Sequence, residues 1–160
     1  MIENSDWPPT VRAIADATDD AITAARARSK GDFDDAARSL DSEDRAQVSS
    51  IHAEMVRSLL EELHPDGLTG EDVQDALTSA VRASAAWYED LDVPGFVEVL
   101  TGALGVADHM QEAAEQRPFP RPEHAILIIT DLLVRRKVAA QGYIQRAVGE
   151  IRRAQTMEMP

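Results

Sequence analysis

At 160 residues the chain fits one domain and can bury roughly two thirds of its unfolded surface, so it needs no disulfide or metal staple. It has no cysteine, which excludes disulfides and thiolate chemistry. A net charge of −13 opposes binding to nucleic-acid phosphates and to anionic membranes.

The first predicted helix follows Trp7-Pro8-Pro9, with Thr10 as its cap and Val11, Ile14, Ala15, Ile22 and Ala25 on one face. Lys30-Gly31 is its expected end. A short helix then turns Phe33, Ala36, Ala37 and Leu40 inward. Ser42 is the expected cap of a third helix, whose stripe is Val48, Ile51, Met55, Leu59, Leu60 and Leu63. His64-Pro65-Asp66-Gly67 stops it.

Thr69-Gly70-Glu71-Asp72 reads as a capping box opening a fourth helix, with Val73, Ala76, Leu77, Ala80 and Val81 on its inner face. Trp87 and Tyr88 close that helix, and Pro94 opens the fifth at its first position. The fifth is expected to run to about Gln116. Gly102 and Gly105 each cost it about 1 kcal/mol of helix propensity relative to alanine. Close approach of another helix at Gly102, or a kink near Gly105, would account for that cost. Arg117-Pro118-Phe119-Pro120-Arg121-Pro122 is a stiff extended loop.

The last predicted helix runs from Pro122 to about Ala154. Ala125-Ile126-Leu127-Ile128-Ile129 is apolar all round, the mark of a segment buried on every side. Beyond it the pattern thins to one stripe of Val138, Tyr143, Ile144, Ala147, Val148 and Ile151. Thirty residues of helix would be about 45 Å long. A domain of this size is roughly 30 Å across, so the end should project, bend or meet a second subunit.

No segment alternates with period two. The expectation is an all-α fold: one domain over residues 1–160, a bundle of five to six helices with a long, apolar C-terminal helix. Residues 1–9 would be a flexible start and 155–160 a tail. Hydrophobic residues make up 44% of the chain and aromatics only 4%. The alanines that fill the difference let helices approach closely but leave a thin core, which gains from a partner subunit. Residues 1–120 carry 25 acids and 9 bases, whereas residues 121–160 carry 4 acids and 7 bases. The basic end is therefore expected to dock on the acidic body.

The start of the chain is acidic where a secretory signal would be basic and then apolar, and its longest apolar run is too short to span a bilayer. A soluble, cytoplasmic protein is the expectation. Glu61-x-x-His64 has the spacing of di-iron carboxylate bundles, yet no second such motif accompanies it. His52, His109 and His124 lie on separate segments and would meet only through tertiary packing. Asp32, Asp34 and Glu43 fit three positions of a calcium loop, but Ala36 and Ala37 stand where a ligand and a glycine are required. No phosphate loop, serine elbow or zinc motif is present. Metal candidates are thus confined to Glu61, His64, His52 and His109, and no cofactor is implied. Trp87, Tyr88 and Phe96 flank a turn, where they either seal the fourth helix against the fifth or, with Gly102 and Gly105, mark an interaction surface.

Leu68-Thr69-Gly70-Glu71-Asp72-Val73, then Trp87-Tyr88, then Val99-Leu100-Thr101-Gly102-Ala103-Leu104-Gly105-Val106, and the ending Ala154-Gln155-Thr156-Met157-Glu158-Met159-Pro160, resemble a family of small uncharacterised actinobacterial proteins. The resemblance covers residues 65–160 and implies a bacterial, high-GC source. It brings no activity and no site residues. Fourteen of the 16 bases are arginine, in keeping with such a source. The functional expectation is a non-enzymatic helical interaction module, homodimeric, with no nucleic-acid or membrane partner. The alternative is a small-molecule or metal-dependent binder or enzyme whose inter-helix pocket is lined by dispersed histidines and acids.

Overall fold

Helix after helix stops where the local chemistry allows it to be capped. The computed structural model describes residues 6–105 and 119–157, and within them the chain forms seven helices and no strand. These are α1 (Pro9–Arg26), α2 (Lys30–Asp41), α3 (Arg45–Leu63), α4 (Gly70–Ala85), α5 (Val93–Leu104), α6 (Pro122–Arg136) and α7 (Ala140–Met157).

The capping box at Thr69 is complete: the Thr69 hydroxyl accepts from the Asp72 amide, and the Asp72 carboxylate accepts from the Thr69 amide. The latter bond holds the Asp72 carboxyl below its usual range. Three expected termini move by a few residues. Pro8 precedes α1, which already includes Thr10, and no side chain caps it. Asp44, not Ser42, caps α3 by accepting from the Gln47 amide at 3.1 Å, while Ser42 ends α2. Helix α1 stops at Arg26, so Gly31 lies inside α2.

The largest correction concerns the C-terminal helix. It is not one long rod from Pro122 to Ala154 but two helices separated by Lys137, Val138 and Ala139. Lys137 adopts the left-handed conformation (φ 59°, ψ 46°). Its amide donates to Val134 O, and the Val138 amide donates to Leu133 O. Those two bonds form a Schellman cap, with lysine in the place usually held by glycine. Val138 packs on the core beside the cap, and its carbonyl accepts from the Arg26 guanidinium at 2.8 Å. The same device, with Arg28 left-handed, ends α1. At 15 residues α6 is about 22 Å long, within the width of the domain, so its end does not have to project.

Helix α6 is the centre of the fold. Residues 122–130, Leu132 and Leu133 are all buried, and α6 touches each of α1 to α5. Helix α7 lies across α3 and α1. One hydrophobic cluster draws side chains from all seven helices. The basic end does dock on the acidic body. Arg136 and Arg146 both reach Glu62 of α3, at 3.5 and 2.9 Å, and Tyr143 donates to the same carboxylate. Burial pushes the Glu62 carboxyl up, but these three partners outweigh it and hold it below its ordinary value. No described helix is long and apolar enough to cross a membrane.

Gly102 and Gly105 both part from expectation. A Cβ at Gly102 would meet nothing within 4 Å, so no described helix approaches there. Gly105 is the left-handed C-cap that ends α5, not a kink within it. The expected continuation of the fifth helix to Gln116 lies outside the described residues.

Candidate functional site

The described histidines His52, His64 and His124 do not gather into one group. His52 is buried on the inner side of α3 and shares a 2.9 Å hydrogen bond with the Thr18 hydroxyl of α1. Burial without an opposing charge pushes its pKa down to about 4, so it is a neutral core imidazole. His64 turns its Nδ1 toward Asp72, 3.5 Å away, while Glu61 is exposed on α3. His109 lies outside the described residues. Among the described residues no three histidine, aspartate or glutamate side chains are grouped so as to hold a metal ion.

The aromatic trio also divides. Trp87 and Tyr88 follow the end of α4 and pack edge-on against Phe33 of α2, with ring centroids 5.3 and 5.4 Å away. Phe96 is fully buried on α5, and its edge contact, at 5.4 Å, is with His124. The expected cluster across α4 and α5 is thus a cluster of α2 with the α4–α5 turn, and Phe96 belongs elsewhere.

That other place is the junction where the first turn of α5 meets the first turn of α6. Pro122 sets the start of α6 and brings Glu123 and His124 into its first turn. Asp92 precedes α5, and Gly95 and Phe96 follow within one turn. The His124 ring lies so close to Gly95 that a Cβ there would sit 2.5 Å from both Cε1 and Nδ1, and 3.0 Å from Asp92 Oδ2. Only glycine gives the ring this position. Glu123 and His124 are each 4% exposed. Glu123 Oε2 accepts from the Arg121 guanidinium. Glu123 Oε1 and His124 Nδ1, although fully buried, have no hydrogen-bond partner among the described residues.

Buried polar atoms are nearly always paired, because leaving one unpaired costs about 1–3 kcal/mol. Two such atoms on consecutive residues set this junction apart. Its electrostatics are mixed. Burial lowers the His124 pKa, with Arg121 acting in the same direction, while Asp92, Glu123 and Glu98 pull it back up. Tyr88 is pushed up to about 12 by burial and by the nearby Glu123 charge. No pattern in the sequence marked Gly95 or Glu123. The signal available was weak: a glycine directly after the helix-opening proline, and a Glu-His pair directly after another.

A concavity of about 410 Å³ lies between α1 and α2, with Asp20, Asp32 and Asp35 on its walls and Ala24, Ala27 and Ala36 among its lining. Its acids are engaged locally, Asp32 by the Ser29 hydroxyl and Asp35 by Arg38. Of the acids that partly fit a calcium loop only Asp32 lines this concavity, and it lies on α2 itself, as does Asp34.

Comparisons with protein-family models, with curated proteins and with solved structures find no match to this chain.

Proposed function

We propose that the protein is a helical module that works by contact and not by catalysis, and that it pairs with a second copy of itself through the outer face of α5, in the cytoplasm. The observation that supports this is the face itself. Phe96, Val99, Leu100 and Ala103 are buried inward, yet Val93 and Val97, one turn apart, remain 42% and 40% exposed.

Charge favours this helix over the others. Two copies of a chain carrying −13 repel each other, and the repulsion is least where the surface is least charged. Helix α5 carries a single charged side chain, Glu98. A stable pairing buries about 800 Å² on each partner, which would engage α5 along its length.

Light scattering tests the reading. The parent protein should show twice the mass of the 17.5 kDa chain at high micromolar concentration. Added salt should strengthen the pairing by screening the repulsion. The double variant Val93→Asp/Val97→Asp should be monomeric with an unchanged helical spectrum. A parent that stays monomeric at high concentration and high salt would refute the proposal.

A further inference from the structure

We infer that the first turn of α5 is an acid-released catch: a proton on His124 loosens residues 92–97 from α6 while the other helices stay packed. The inference concerns a single chain and does not depend on self-association.

It begins with how the ring is covered. Gly95 and Phe96 lie against His124 from the α5 side, and the backbone at Gly95 is so close that no side chain fits between them. Nδ1 is buried and has no partner among the described residues. A neutral ring leaves one uncharged atom unpaired there. An imidazolium carries N–H on both nitrogens, so a proton would strand a charged donor against the Gly95 backbone. An unpaired buried charge costs far more than an unpaired neutral atom. Moving the first turn of α5 aside lets water reach the ring and removes that cost.

The turn is free to move by itself. Within residues 92–98 only Gly95 and Phe96 are buried. Asp92 stands at the cap position, but its side chain makes no cap bond. The farther part of α5 is anchored separately by Val99, Leu100 and Ala103.

The surrounding charges set where the catch trips. Burial lowers the proton affinity of His124, and Arg121, just before α6, acts with it. Asp92 and Glu98 from α5 and Glu123 from α6 oppose that shift without cancelling it, so the ring stays below its ordinary 6.5. Tyr88, at the α4–α5 turn, is pushed up to about 12 and keeps its proton throughout. Opening the turn returns the ring to water and to its ordinary affinity. The open form then holds more protons, so opening becomes easier as pH falls below 6.5. His52 differs: it lies between α1 and α3, no acid supports its proton, and it stays neutral down to about 4.

Amide hydrogen exchange on the whole protein, between about pH 7 and 5 and dilute enough to keep it monomeric, tests the inference. The Phe96 amide donates to Asp92 O at 3.2 Å and reports the first turn. Corrected for the chemical exchange rate, its opening should increase below pH 6.5, by at most about tenfold per pH unit. The Leu59 amide, inside α3, should open far less often at every pH, because its exposure requires the core to unfold. His124→Gln, which cannot take up the proton, should abolish the acid response at Phe96. Asp92→Asn keeps the ring and supplies a second reading. It should lower the titration midpoint of the His124 ring resonances and enlarge the acid-driven opening at Phe96. Four results would overturn the inference: opening at Phe96 that ignores pH, opening that matches Leu59, an equal acid response in His124→Gln, or an unchanged His124 midpoint in Asp92→Asn.

Discussion

Replacing Gly95 by alanine and, separately, Gly102 by alanine should move stability in opposite directions, although both residues lie on α5. On propensity alone each change favours the helix, by up to about 1 kcal/mol in a helix interior and by less near its ends. The surroundings decide the sign. At Gly102 the new methyl group meets nothing within 4 Å, so the propensity gain survives. At Gly95 it would lie 2.5 Å from two atoms of the His124 ring, about 1 Å inside ordinary contact. That ring is 4% exposed and set against Phe96, so it has little room to swing aside. Overfilling a tight site typically costs about 1–3 kcal/mol, which leaves Gly95→Ala destabilised by about 1–2 kcal/mol after the propensity gain. For a chain of this size each kcal/mol shifts Tm by about 2–4 °C. Urea and thermal unfolding, at concentrations low enough to keep the protein monomeric, give the comparison. If Gly95→Ala proves as stable as the parent, the ring does not press on the backbone there, and the geometry of the α5–α6 junction is refuted.

Two further perturbations test the interior. Lys137 adopts a conformation that costs a residue with a Cβ about 1 kcal/mol or more, so Lys137→Gly should raise stability by up to about 1 kcal/mol, read as an increase in the urea midpoint. A loss would mean that the α6–α7 break is held differently. His52 binds a proton below 6.5 when unfolded but only below about 4 when folded. Between those values the unfolded chain holds more protons, so stability falls as pH drops through that window, by up to about 1.4 kcal/mol per pH unit. The contribution is fully present above the upper value. In His52→Gln the dependence between about pH 5 and 6.5 should flatten relative to the parent, and identical slopes would show that His52 is not the buried group responsible.

The sequence by itself determined whatever depends on neighbours within a turn or two. Helix rather than strand follows from spacing. The stop at His64-Pro65-Asp66-Gly67, the Thr69 capping box and the proline start at Pro122 all follow from groups a few residues apart, while Pro94 stands second in its helix, after Val93. The all-round apolar run from Ala125 to Ile129 required burial, and it forms the centre of the fold. Only the tertiary structure decided the rest, because the deciding atoms come from far along the chain. The helix break at Lys137 carries no glycine or proline; it is supported by Val138 settling on the core and by Arg26, 112 residues away, bonding its carbonyl. Close approach occurs at Gly95 and not at Gly102, because His124 arrives from another helix. The pairing of Thr18 with His52, and the stranding of Glu123 and His124 without partners, arise the same way. Periodicity shows which face of a helix turns inward, but it cannot show which atom waits there.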